Sequence, residues 1–131
     1  RKKNINFEIS YADNFEGNFD IIAFFDCLHD MGNPISALKY AKTKLNKNGL
    51  IMLVEPTADD DVENNFNMIG QMYYSFSTIA CIPASKSQET GMALGAQAGP
   101  KKLTEILNES GFSDVKVTYK TASNMVLQAK I

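Results

Sequence analysis

The chain has 131 residues, 44% of them hydrophobic and 21% charged, and its 15 acidic against 13 basic residues leave a net charge of −2. That is the composition of one globular domain, able to bury a core without disulfides or metals. It excludes a nucleic-acid module held by a broad basic face, since only Arg1, Lys2 and Lys3 cluster. It also excludes a helical membrane span, because the longest apolar runs, 21–25 and 50–54, fall far short of the ~20 residues a bilayer requires. The N-terminus has no apolar secretory region, and Cys27 and Cys81 sit in apolar stretches without metal-ligand spacing. Two buried thiols and a cytoplasmic location are therefore expected. The chain opens at Arg1 and enters a strand-like segment at once, so a piece of a longer protein is expected too.

In chain order, Asn4 to Ile9 alternates polar and apolar residues, the period of a half-buried strand, and Asp13 to Gly17 then turns the chain. Phe19 to Phe25 is apolar at almost every position, as in a parallel strand covered on both faces. Asn33 and Pro34 supply an N-cap and a first-turn proline. Ile35, Leu38, Ala41 and Leu45 continue at helical spacing to a stop at Asn48-Gly49. Leu50 to Val54 is a second buried strand, so the first half reads as a βαβ unit.

The acidic run Asp59-Asp60-Asp61 with Glu63 is best explained by capping at a helix start. The helix expected there carries Val62, Phe66, Ile69, Met72, Tyr73, Phe76 and Ile79 on one broad face that needs a partner. In residues 84–100, Gly91, Gly95 and Gly99 recur every four residues among small side chains, which suits close helix contact or a mobile lid. Pro100 opens a last helix with Leu103, Ile106 and Leu107 inward, closed by Gly111. The alternating runs 115–119 and 125–131 are too close for a crossover and predict an antiparallel hairpin.

His29, the sole histidine, directly follows the first buried strand, and Glu55 follows the second. In open parallel sheets, ligands bind beyond the carboxyl ends of the strands. A histidine there can take up a proton near neutral pH, with a carboxylate to orient it. The same spacing also suits a histidine that caps the following helix beside a solvated glutamate. Asp13 can hold a ribose hydroxyl or an adenine amino group, or be an ordinary turn aspartate. Asp26 and Asp30 are ligand contacts or helix-start residues. No G-x-G-x-x-G, P-loop or G-x-S-x-G occurs, which removes support for dinucleotide binding, phosphoryl transfer and a hydrolase elbow.

Asp13-Asn14-Phe15, the apolar strand, His29-Asp30, Asn48-Gly49 and Val54-Glu55-Pro56, in this order, resemble the C-terminal portion of a class I S-adenosylmethionine-dependent methyltransferase. The pattern is similar to small-molecule O-methyltransferases, in which a histidine of an H-D-W segment is the base and a glutamate after the next strand assists it. Met31 stands where that pattern has tryptophan. The segments 87–91 and 93–99 are similar to bacterial methyltransferases that carry a winged-helix segment before the catalytic domain. The resemblance implies a partial Rossmann-like α/β fold, a mixed sheet ending in an antiparallel hairpin, with the first strands and the glycine-rich loop missing. It implies one domain over 1–131 with a helical, lid-like insertion at 58–100. The site residues expected are His29 and Glu55 for catalysis and Asp13, Asn14, Asp26 and Asp30 for S-adenosylmethionine, with no metal. The expected partners are a small-molecule substrate and a second copy of the chain, with no nucleic acid and no membrane. The implied reaction is methyl transfer in the full-length parent, with weak or absent cofactor binding by this chain alone. The competing expectation is a non-catalytic α/β module used for self-association. The methyl acceptor is not legible in these residues.

Overall fold

The computed structural model describes residues 4–131, so the basic cluster Arg1 to Lys3 lies outside the described residues. Four strands form one mixed sheet in the order β1-β2-β4-β3, with β1 Phe19–Phe25, β2 Leu45–Pro56, β3 Ser113–Lys120 and β4 Asn124–Lys130. β1 and β2 run parallel, with Ile21 opposite Leu50 and Phe25 opposite Val54. β4 lies antiparallel to β2, pairing Leu50 with Lys130 and Glu55 with Met125, and β3 closes the hairpin. The expected βαβ unit and C-terminal hairpin are both present.

Helix α1, Pro34–Thr43, is the crossover between β1 and β2. The Asn33 side chain caps it by accepting from the Ser36 N–H at 3.0 Å, with Pro34 in its first turn. It ends earlier than the periodicity suggests: Leu45 is the first residue of β2 and not a fourth helical contact. Leu45 pairs with Phe19, and the four β2 residues 46–49 then bulge out opposite Asp20 before regular pairing starts at Leu50. Helix α4, Pro100–Glu109, buries Leu103, Ile106 and Leu107 against the same core. Gly111 turns with φ +88°, and the Phe112 N–H bonds the Leu107 carbonyl at 3.0 Å, the chain reversal expected after that helix.

Three expectations are corrected. Asn4 to Ile9 forms no strand; Phe7 and Ile9 are almost fully exposed. A strand exists only through ladder bonds, and among the described residues no strand pairs with this segment. β1 is not covered on both faces: of its seven residues only Phe24 is buried, because β2 pairs one edge and the described residues put nothing on the other. The helix expected from residue 62 starts instead at Met68, where Asn67 caps it through the Gly70 N–H at 2.9 Å. Before it, Asn65 is buried and bonds Asp59 and Asp61 through N–H and C=O groups, which holds 59–65 as a loop with one 3₁₀ turn. Asp60 does cap a helix, but it is α4: its carboxylate accepts from the Lys101 N–H at 2.8 Å.

From Met68 the chain is helical to Lys86, as α2 (Met68–Phe76), a π-helical turn at Ser77–Cys81, and α3 (Ile82–Lys86). Residues 87–99 are not helical. Thr90, Gly91, Ala93 and Gly95 all have positive φ, so the regular glycine spacing marks turns and no helix stripe. This stretch is pinned to the turn after β1. Gln88 accepts from the Gly32 N–H and donates to the Asp30 carbonyl, Ser85 donates to the Met31 carbonyl, and the Met92 N–H donates to the Gly32 carbonyl. Among the described residues no helix is long and apolar enough to cross a membrane.

Candidate active site

The chain turns sharply as it leaves β1. Asp26, with φ +51°, still donates its N–H to the Val54 carbonyl at 2.7 Å and so continues the ladder for one residue. A 3₁₀ turn, Leu28–Asp30, follows, and it drives Leu28 into the core and His29 under it. Glu55, next to last in β2, lies inside the protein with 1% exposure. A buried carboxylate must be bonded on both oxygens. Here Oε1 accepts from the Leu28 N–H at 3.0 Å, and Oε2 accepts from His29 Nδ1 at 2.5 Å. One glutamate therefore fixes the turn and the imidazole together, and it sets the tautomer: Nδ1 carries the proton, and Nε2 faces the other way.

His29 is itself only 4% exposed. Burial pushes its pKa down, but the Glu55 bond and the charges of Glu55, Asp30 and Asp26 outweigh that, and the value stands above the ordinary imidazole range. The histidine makes no helix cap; α1 is capped by Asn33. Asp30 brings Oδ1 to 3.3 Å from His29 Nε2, yet that oxygen is enclosed and accepts no hydrogen bond. Asp26 presents a carboxylate within 4.8 Å of the ligand atoms of His29 and Glu55. Four of the six expected site residues thus converge at the carboxyl ends of β1 and β2.

Asp13 lies elsewhere. It lines a cavity of about 420 Å³ with Tyr11, Ala12, Met31, Ser36 and Gln88. A second cavity of similar size runs along β1, between Tyr11, Phe15, Ile22 and Cys27, and Met31 borders both. Asn14 lines neither and is exposed.

Sequence reasoning missed two participants. Gln88 and Ser85 hold the backbone of 30–32 from 54 to 58 residues away; polar residues at and just past a helix end carry no signal for such a contact. Cys81 is buried as expected, but its sulfur lies within 4.8 Å of Asp30 and of a His29 ring nitrogen. Burial and the neighbouring Asp30 carboxylate push its thiol up to about 11. Cys27 is only half-buried, contrary to expectation, because it faces the open side of β1.

A family model described as "Methyltransferase domain" matches residues 2–117. No curated protein sequence is similar to the chain. Solved structures with the same fold include PigF with SAH, 13% identical with a TM-score of 0.61, over 92% of this chain and 32% of that one. Human N-acetylserotonin methyltransferase in complex with SAM is 16% identical, with a TM-score of 0.65 over 98% of this chain and 36% of the other. An O-methyltransferase family protein from Burkholderia thailandensis is 17% identical, with a TM-score of 0.62 over 95% and 34%. At such identities the likeness is one of fold, and the chain spans about a third of the length of these structures. With a family model covering most of its length and a sheet that superposes on these enzymes, the chain belongs to the methyltransferase domain family.

Proposed function

We propose that this chain is the C-terminal part of an S-adenosylmethionine-dependent methyltransferase that methylates a small-molecule hydroxyl, with His29 as the base and Glu55 as its positioning residue. The buried His29–Glu55 pair carries the reading. A carboxylate that costs free energy to enclose is retained where it fixes one tautomer of the only histidine, at the sheet end where ligands bind. Its family supports methyl transfer, and two of the neighbours were solved with SAH or SAM.

The residues present fit one end of that cofactor. The cavity beside Asp13 has a carboxylate for a ribose hydroxyl or the adenine amino group, with Met31 and Ala12 as apolar walls. Nothing in this sequence supplies the glycine-rich loop that would seat the methionyl end, so the chain alone is expected to bind weakly and be inactive. When bound, S-adenosylmethionine supplies an electrophilic methyl group. The chain's own task is to accept the acceptor's hydroxyl proton at His29 Nε2 and to exclude water. For Nε2 to do so, the Asp30 carboxylate must swing away from its 3.3 Å approach, a rotamer change open to a half-exposed side chain although Oδ1 itself is enclosed. The insertion 58–100 serves as the lid: it packs Leu94 and Ala96 inward and grips the His29 turn through Gln88 and Ser85. The bare β1 edge, with Ile21 and Phe25 exposed, is the surface for pairing with the rest of the parent or with a second copy.

The test uses the full-length protein, methyl-labelled S-adenosylmethionine and a panel of simple phenols. Label transfer is expected to fall about 100-fold or more in His29→Gln with cofactor affinity kept, the usual size of a general-base contribution. A His29→Gln enzyme turning over at the wild-type rate refutes the assignment.

A further inference from the structure

We propose that His29, Asp30 and Cys81 form a binding site for a thiophilic divalent cation, Zn²⁺ or Cd²⁺. Three side chains of metal-ligating type converge there from two separate elements, with ligand atoms all within 4.8 Å of one another. Zinc takes nitrogen, oxygen and sulfur ligands in a tetrahedron, with bonds of about 2.0 to 2.3 Å, so that nitrogen and oxygen ligands sit about 3.3 Å apart. His29 Nε2 and Asp30 Oδ1 already have that separation, 3.3 Å.

Three further observations point into the same space. Asp30 Oδ1 is enclosed and has no hydrogen-bond partner, a deficiency that a cation removes. Glu55 accepts from His29 Nδ1 at 2.5 Å, which turns Nε2 toward Asp30 and raises its basicity. Metal-bound histidines have this arrangement, with a carboxylate behind the ring that fixes which nitrogen is free to ligate. The π-helical turn Ser77–Cys81 ends on the third ligand; such turns swell a helix by one residue and re-aim its side chains, often at functional sites. Binding releases the Cys81 thiol proton to solvent as the sulfur becomes a thiolate ligand, and a water completes the tetrahedron. Because the cation occupies the nitrogen lone pair assigned above to the base, it would also inhibit methyl transfer. That consequence rests on the proposed function, whereas the binding does not.

Direct spectroscopy, read as the difference between wild type and Cys81→Ser, separates the possibilities. Titrating the full-length protein with Cd²⁺ is expected to produce a thiolate charge-transfer band saturating at one equivalent, and Zn²⁺ is expected to suppress it by competition. The His29 ring resonances, followed by nitrogen-edited NMR, should shift over the same titration. Cys81→Ser should abolish the band and Cys27→Ser should keep it. Asp30→Asn and Glu55→Gln should each weaken Zn²⁺ binding by about 10-fold or more, read by competition with a chromophoric chelator. A band that survives Cys81→Ser, or saturated metal binding that leaves the imidazole resonances unmoved, overturns the site. Neither readout uses methyl transfer, so failure of the metal site and failure of the enzyme reading are seen separately.

Discussion

β1 and β2 are adjacent and parallel, and their paired runs 21–25 and 50–54 are equally apolar in sequence, yet they meet opposite environments. Over 51–55, β2 alternates fully buried Ile51, Leu53 and Glu55 with half-buried partners, while β1 exposes five of its seven residues. The difference is one of neighbours. β2 has a strand on each side and helices α1 and α4 over its core face; β1 has one strand and an open edge lined by Phe19, Ile21 and Ala23. Apolarity states what a strand requires, and position in the sheet decides whether it receives it. The same contrast separates the second cavity from the dyad: Glu55, with His29 bonded to it, is enclosed because β2 is central, whereas the cavity beside Phe19, Ile21 and Ala23 opens along the strand that is paired on one edge alone among the described residues.

The largest expected effect tests this directly. Leu53→Ala removes a fully buried side chain from the central strand and should cost about 2 to 5 kcal/mol in urea denaturation, whereas Ile21→Ala, at 56% exposure, should cost under about 0.5 kcal/mol. Equal losses would mean that the β1 edge is covered. Next, in full-length enzyme, Glu55→Gln should reduce turnover less than His29→Gln, since the proton acceptor stays in place. Asp13→Ala should raise the cofactor dissociation constant by about 10-fold while sparing turnover at saturation, read by calorimetry. A pH test follows from the enclosed pair. The folded His29 value lies above the unfolded one. Its contribution to stability is therefore full below the unfolded value near ~6.5 and is lost as pH rises through the folded value. In metal-free buffer, wild type should lose more stability than His29→Gln between about pH 6 and pH 9; parallel curves would show an unperturbed imidazole. A smaller change is expected at the α4 cap. Asp60→Ala should lower stability by about 1 kcal/mol. Ile21→Lys should leave stability unchanged and reduce self-association by light scattering, if the open edge is what associates.

Much of this architecture is legible in the chain itself. Phe19 to Phe25 and the Asn33-Pro34 helix start rest on local chemistry, and the structure matches both to the residue. The short 121–123 connection by itself dictates an antiparallel hairpin, and His29 with Glu55 is foreseeable because both follow strands of one βαβ unit. Periodicity fails where the outcome depends on which bonding partner a segment finds. Asn4 to Ile9 alternates like a strand but has no ladder to join. The helix expected from residue 62 is delayed to Met68, because Asn65 finds better bonds in the 59–61 backbone. The sequence by itself determined the α/β class, the order of the elements and the histidine–glutamate pairing, since these follow from periodicity, capping and short connections. Only the tertiary structure decided that Gln88 and Ser85 grip the His29 turn and that Cys81 closes on His29 and Asp30. Each of those is a contact across 50 or so residues, whose bonding partner is chosen by how the helical run packs on the sheet and by nothing in the adjoining chain.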